Sequence, residues 1–251
     1  MDALGTSLIA LAVILGGAIG GLWLRHVLPE HYLADETKDV VKLGTGLVGT
    51  ISALVLGLLT ASANSSYDAQ NGHIQHLAAD IILLDQLLAQ YGPDAKSARE
   101  QLRQAIDPVI KRIWRESRSG SARQSTMEVS GAGQDMAGII LHLTPQNDAQ
   151  RIIKDRAVQT TADLAQTRFL LFEQSGGSLP LPFLVVLVFW LAMIFASFGL
   201  YARPNPILIS ALIICAVSVS GALFLVLELS QPFTGLMQIS SAPLRNALAP
   251  L

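Results

Sequence analysis

The sequence predicts an all-α polytopic membrane protein, with four transmembrane helices and a cytoplasmic helical bundle inserted between the second and the third. Four apolar runs of about 20 residues are each long enough to cross the hydrocarbon of a bilayer. Only 14% of the 251 residues are charged, whereas soluble domains carry about 25%. Most of the cationic residues lie between the second and third runs, as expected for a polar domain inserted there.

The composition also limits the function. A net charge of −2 without a separate basic domain gives no reason to predict a nucleic-acid partner. The single cysteine, Cys215, excludes an intrachain disulfide and a multi-cysteine metal site. The chain has no nucleotide-binding glycine loop and no HExxH, GxSxG or CxxC motif. We therefore predict neither an enzyme nor a cofactor.

Residues 1–63 are predicted to form the first two transmembrane helices. The first runs from Ala3 to Leu24 and lacks the basic N-terminal region of a signal peptide, so we expect it to be retained. Two pairs of glycines one turn apart predict close packing against a neighbouring helix. These pairs are Gly16-Gly17 and Gly20-Gly21.

The second apolar run begins one long helix, from Leu43 to Tyr91, because no proline or turn cluster occurs before Gly92-Pro93. Its second half is predicted to be a stalk that packs into the helical bundle. Apolar residues at heptad-like spacing carry this prediction. They are Ile74, Leu77, Ile81, Leu84, Leu88 and Tyr91.

The membrane half of the same helix carries small and hydroxyl or amide residues at spacings of 4, 3, 4, 3 and 4, which place them on one face. We call these six residues the small stripe: Gly46, Thr50, Ala53, Gly57, Thr60 and Asn64. Lipid gains little from glycine or threonine, so the small stripe is predicted to face protein or water. It either supports tight helix packing or lines an ion pathway.

Residues 64–178 are predicted to form the cytoplasmic helical domain, with a flexible Ser- and Gly-rich loop near residues 117–134. A helix after Pro93 either kinks or restarts at Asp107-Pro108. Thr144-Pro145 is predicted to start a further long helix. Its predicted inner face comprises Ile153, Ala157, Leu164 and Leu171.

Residues 179–230 hold the third and fourth transmembrane helices, and residues 231–251 are predicted to be an interfacial tail. Glu228 ends an otherwise uncharged span, where an ionisable group is costly and often functional, although it could simply reach the interface. Ser65, Ser66 and Tyr67 follow the second span. We predict that these three residues and Glu228 form a polar collar at the same membrane boundary.

Two further clusters each allow two interpretations. Lys111, Arg112, Arg115 and Arg118 form either a solvated basic face or a vestibule that attracts anions or acidic lipid headgroups. His73, His76 and Asp80 share a helical face and are a weak candidate for a metal site. The alternative for these three residues is an ordinary polar face of the stalk.

The charge distribution predicts an orientation in the membrane. Twelve of the 17 Lys and Arg residues lie between residues 64 and 178, and the two short connections carry few. The positive-inside rule therefore places the central domain and both termini in the cytoplasm. The predicted location is a bacterial inner (plasma) membrane.

Several stretches of the chain resemble the bacterial bestrophin-like domain family. They are GLVGTISALVLGLLTASANSSYD, LAADIILLDQLLAQYGP, RFLLFEQSGGSLPLPFLVVLVFWLAMIFASFGLYARPN and LELSQPFTGLMQISSAPLRNAL. The resemblance implies four transmembrane helices and the layout of oligomeric anion channels with long cytoplasmic helices. The chain departs from such channels in offering glycine and threonine, rather than aromatic and aliphatic residues, on the second span.

Two functions follow as hypotheses. The first is a homo-oligomeric channel, for anions, with an axial pore lined by the second transmembrane helix. The alternative is a non-conducting scaffold or sensor whose cytoplasmic bundle binds a partner. The predicted partners are membrane lipids, further copies of the chain and an inorganic anion.

Overall fold

The computed structural model describes residues 3–28, 35–119, 136–174, 181–202 and 205–248. These residues form helices and connections, with no strand among them. The helices are α1 (Ala3–Val27), α2 (Asp35–Tyr91), α3 (Lys96–Ser119), α4 (136–141), α5 (Asp148–Gln174), α6 (Leu181–Tyr201), α7 (Pro206–Leu229) and α8 (Ala242–Leu248). A short 3₁₀ turn, Pro93–Ala95, precedes α3.

Helices α1, α2, α6 and α7 are long and apolar enough to cross a membrane. The prediction of an all-helical chain with four candidate spans is therefore confirmed. The predicted long second helix is also confirmed, and it begins eight residues earlier than the apolar run, at Asp35. Residues 120–135, which include most of the loop predicted over 117–134, lie outside the described residues.

The chain divides into two compact units. Unit 1 comprises Met1–Ser66 and Ser178–Ser230, and unit 2 comprises Tyr67–Gly177 and Gln231–Leu251. The first part of α2 thus belongs to unit 1 and its remainder belongs to unit 2.

The core of unit 1 is built on close contact between α1 and α6. A Cβ atom on Gly17 would lie 2.5 Å from the carbonyl oxygen of Ala192, and one on Gly21 would overlap the carbonyl oxygen of Ala196. The predicted close packing is confirmed for these two glycines. Gly16 and Gly20 lie on another face of α1, where an added Cβ would meet no atom within 4 Å.

Helix α7 completes this core through apolar and polar contacts. Leu212, Ala216 and Leu223 are buried in the cluster that also contains residues of α1 and α6. The Ser220 hydroxyl donates a buried hydrogen bond of 2.8 Å to the carbonyl oxygen of Ser7 on α1. Such a bond gives the Ser220 hydroxyl, which would be costly to leave unpaired in hydrocarbon, a partner on another helix.

The core of unit 2 follows the apolar spacing of the stalk. All six predicted stalk residues, from Ile74 to Tyr91, are at most 3% exposed. They pack with Leu102 and Ile106 of α3 and with Ala157 and Leu171 of α5. The other two residues predicted for the inner face of α5, Ile153 and Leu164, pack against the same core and are partly buried. The predicted seam and inner face are therefore confirmed.

The C-terminal segment contributes to the same core. Phe233, Ile239, Leu244 and Ala247 are buried there. The indole nitrogen of Trp114 donates a 3.0 Å hydrogen bond to the carbonyl oxygen of Ile239, and its ring meets Phe233 edge to face. An interfacial position for residues 231–251 stays a prediction, but part of this tail is packed into unit 2.

One predicted helix start is wrong, and one of two alternatives for α3 is excluded. Helix α3 continues through Pro108, so no new helix begins at Asp107. Helix α5 begins at Asp148 rather than at Thr144-Pro145, because Asn147 is its N-cap. The Asn147 side chain accepts a 2.8 Å hydrogen bond from the amide of Gln150, and the Gln150 side chain accepts one of 2.7 Å from the amide of Gln146. The pair resembles a capping box, except that the Gln150 side chain reaches the amide of Gln146 rather than that of the N-cap residue, and it fixes the start.

Replacing Gly21 with leucine tests the contact between α1 and α6. Because the new side chain would overlap backbone of α6, we expect Gly21→Leu to destabilise unit 1 by about 3 kcal/mol or more. Thermal unfolding of the detergent-purified protein measures the loss. The matched control is Gly20→Leu, which introduces the same side chain into open space. Equal melting temperatures for the two variants would contradict the packing described here.

The second stability prediction concerns an ion pair in unit 2. Arg99 donates two hydrogen bonds of 2.7 Å, from Nε and Nη2, to the two carboxylate oxygens of Asp85. The side chain of Asp85 is 8% exposed. The hydrogen bonds to Asp85 raise the pKa of Arg99.

We expect Asp85→Asn to destabilise the protein by about 3 kcal/mol, because it leaves a partly buried arginine without its counter-charge. Chemical denaturation followed by circular dichroism measures the change. The control is Asp148→Asn, which removes an exposed partner of Arg151 at the start of α5 and should cost less than about 1 kcal/mol. A similar loss of stability in both variants would show that burial of Asp85 does not strengthen its ion pair with Arg99.

Candidate functional site: an exposed stripe on the second helix

The six residues of the small stripe lie along the unit 1 part of α2, and all six positions are exposed. A Cβ atom added to Gly46 or Gly57 would meet no other atom within 4 Å. The small stripe is therefore not the surface on which α2 packs within its own chain. Tight packing remains a possible role only against something outside the chain.

A different face of α2 holds the helix in unit 1. Val55, Leu56 and Leu59 pack against the unit 1 core. Ser52 is 4% exposed, and the hydroxyl of Thr45 donates a 3.1 Å hydrogen bond to that of Ser197 on α6. At 100° per residue this face is centred about 120° from the small stripe. Packing within unit 1 thus fixes the direction in which the small stripe points.

A third face of α2 carries large apolar residues. We call it the leucine ridge; its members, between 39 and 77% exposed, are Leu43, Leu47, Ile51, Leu54 and Leu58. It lies about 100° round the helix from the small stripe. Helix α2 therefore exposes two adjacent faces with different chemistry. Acyl chains suit the leucine ridge, whereas the small stripe suits water or the close approach of another helix.

The two threonines of the small stripe form hydrogen bonds within their own helix. The hydroxyl of Thr50 donates to the carbonyl oxygen of Gly46 at 3.0 Å, and that of Thr60 donates to the carbonyl oxygen of Leu56 at 2.8 Å. In this rotamer each hydroxyl can accept a hydrogen bond from outside, but its proton is already used. A threonine could donate to an anion only after this intrahelical bond is broken, for which rotation of the hydroxyl about the Cβ–Oγ1 bond is sufficient.

The residues of the predicted polar collar differ in burial. Glu228, near the end of α7, is 4% exposed. Ser65 is exposed, and Ser66 and Tyr67 are half-buried. Tyr67 packs against the core of unit 2. A joint network of these residues stays a prediction.

The other candidate residues lie in unit 2. Lys111 is exposed on α3, and the side chains of Arg112, Arg115 and Arg118 lie outside the described part of the structure. His73 and Asp80 are half-buried and His76 is exposed. Within the described ranges, no three His, Cys, Asp or Glu side chains are arranged to hold a metal ion.

Four helices of spanning length, one of which exposes an uncharged stripe of small and hydroxyl residues, define a polytopic helical membrane protein. The family model of the bestrophin-like domain matches residues 12–244. The chain belongs to the bestrophin-like domain family. The earlier resemblance on sequence stretches is thereby confirmed.

A solved structure extends this comparison to the fold. The chain is similar to a mutant of a bacterial bestrophin homolog from Klebsiella pneumoniae, with a TM-score of 0.65 and 13% sequence identity. The similarity covers 99% of this chain and 97% of the homolog. At this identity it shows the fold alone. No curated protein matches the chain.

Sequence reasoning found the small stripe but missed the leucine ridge. The signal was present, because these five apolar residues also recur at spacings of 4, 4, 3 and 4. In a helix that is apolar on nearly every side, however, such a stripe does not stand out. Only the positions of α6 and α7 reveal which apolar residues are buried and which are exposed.

Proposed function

We propose that the protein is a homo-oligomeric membrane channel that passes anions through an axial pore lined by α2. The observation that carries the proposal is the exposure of the whole small stripe on a helix whose other face is held in unit 1. Membership of the bestrophin-like domain family supports a channel rather than an enzyme.

The need for several copies follows from geometry. A single stripe about 27 Å long, at 1.5 Å per residue from Gly46 to Asn64, cannot enclose a pore. Copies arranged around an axis would turn their small stripes inward, as closed cyclic symmetry requires of equivalent surfaces. The leucine ridge, beside the small stripe, would then cover the neighbouring copy. Dispersion attraction of these exposed apolar side chains would then stabilise the contact between copies.

The preference for anions rests on charge. The small stripe contains no carboxylate that would attract cations. The cationic cluster of Lys111, Arg112, Arg115 and Arg118 would draw anions towards one mouth of the pore. Within the pore, Thr50 and Thr60 would donate to an anion after giving up their intrahelical bonds. Gly57 between them would supply width.

We further propose that residues 64–178 form a cytoplasmic domain inserted between the second and third spans. The excess of Lys and Arg in this segment supports that orientation under the positive-inside rule. Both termini would then be cytoplasmic, and the membrane would be the bacterial inner membrane. Lys111, with Arg112, Arg115 and Arg118, would line the cytoplasmic vestibule.

Replacing Gly57 with leucine tests the pore. Because the new side chain would project from the middle of the small stripe, we expect Gly57→Leu to lower the chloride conductance of the reconstituted protein several-fold. Planar bilayer recordings measure it. The control is Gly44→Leu, the same change on the same helix but off the small stripe. Unchanged current in Gly57→Leu would count against the stripe as a pore lining.

A thiol-labelling experiment separates a pore from a dry contact between helices. In a Cys215→Ser background, Gly57→Cys should react with a charged, membrane-impermeant thiol reagent and lose current, whereas Leu58→Cys should retain it. If the wild-type protein forms a monodisperse oligomer without any conductance, the scaffold or sensor hypothesis replaces the channel.

A further inference from the structure

A groove in unit 1 lies between α2, α6 and α7, beside the small stripe, with which it shares Gly46. Its volume is about 670 Å³. The lining is almost wholly apolar and includes Ile194, Phe195, Phe198 and Leu212, with Cys215 on α7. In a membrane, an apolar group fills such a space. The shape of the groove and the residues at its edge determine which group binds.

Two glycines of α2 make the groove. Gly46 and Gly49 form part of its wall, and neither has a side chain to fill it. A Cβ atom added to Gly49 would come no closer than 3.9 Å to the Cδ1 atom of Ile194, and one added to Gly46 would meet no atom within 4 Å. The groove therefore has room for a flexible chain beside α2.

The polar and cationic groups of the groove lie at one end. Lys42 and Ala202 line this end, and Arg25 donates a hydrogen bond to the carbonyl oxygen of Ala202. Lys42 also pairs with Asp39 at 3.3 Å, but both side chains are at least 67% exposed. Such an exposed pair is weak, so the ammonium group can turn towards another anion.

We propose that this groove binds a membrane phospholipid, with one acyl chain between α2, α6 and α7 and the phosphate at Lys42 and Arg25. From Lys42 to Gly49 the groove follows α2 for about 10 Å, most of the depth of one leaflet at about 15 Å. An apolar trough with cations at its headgroup end is complementary to an anionic lipid in both shape and charge.

Lipid binding by purified variants tests the proposal. The full-length protein in detergent is titrated with phosphatidylglycerol, and bound lipid is counted by native mass spectrometry. The Gly49→Leu side chain would occupy the space of the acyl chain and remove its dispersion contacts with the groove. We therefore expect phosphatidylglycerol to bind several-fold more weakly. Gly44→Leu, on α2 but outside the groove, should bind as wild type.

The headgroup is tested separately. Lys42→Ala should weaken the binding of phosphatidylglycerol. It should not change the binding of diacylglycerol, which has the same chains without the phosphate. Equal losses for both lipids, or none, would overturn the assignment of the phosphate to Lys42.

Two results would overturn the acyl-chain site. One is undiminished phosphatidylglycerol binding by Gly49→Leu. The other is a smaller oligomer of Gly49→Leu together with undiminished binding of the lipid. That result would assign the groove to a contact with a second copy of the chain. Should Gly49→Leu fail to fold, the smaller change Gly49→Val makes the same test without altering the small stripe.

Discussion

Close approach of backbones is the constraint on which unit 1 depends. Between helices in hydrocarbon, apolar burial gives no driving force, so contact must come from dispersion and interhelical hydrogen bonds. Gly17 and Gly21 allow α1 to touch α6, and Gly199 of α6 receives the backbone of α1 in return. The same α6 carries Ser197, the hydrogen-bond partner of Thr45 on α2. The direction of the small stripe is thus set by a contact in which none of its members takes part.

Helical periodicity made much of this fold predictable. The stalk residues from Ile74 to Tyr91 share a face because the helix repeats every 3.6 residues, whatever surrounds it. Which face of a helix packs against which neighbouring helix was less predictable. The pairs Gly16–Gly20 and Gly17–Gly21 have the same spacing, and only the position of α6 distinguishes them. Periodicity identifies a face, but the tertiary structure decides what it meets.

Helix ends were harder to predict, since several residues can compete to be the cap. Thr144 and Asn147 are both good N-caps, and Pro145 favours the earlier start. The structure uses Asn147 because the amide of Gln150, three residues later, donates to its side chain, and the Gln150 side chain accepts from the amide of Gln146. The Asp107-Pro108 step shows the opposite case, in which α3 continues despite a strong local signal to break.

The candidate site was predictable as a surface but not in its chemistry. Spacing alone put the six stripe residues on one face, and threonines there suggested donors for an ion. In the structure, the hydroxyls of Thr50 and Thr60 donate to carbonyl oxygens one turn earlier. Within a helix this bond is always close at hand for threonine. An ion must therefore attract a threonine hydroxyl more strongly than the helix carbonyl oxygen does. Sequence spacing cannot show this competition.

The glycines of α2 extend this reasoning beyond the single chain. A glycine inside a helix costs about 1 kcal/mol relative to alanine, and within a protein a close contact can offset that cost, as at Gly17 and Gly21. Gly46 and Gly57 have no such contact, since an added Cβ would meet open space at both. Within the chain, alanine would fit at either position and make a more stable helix. Whatever offsets these two glycines therefore lies outside the chain: another copy, water or lipid.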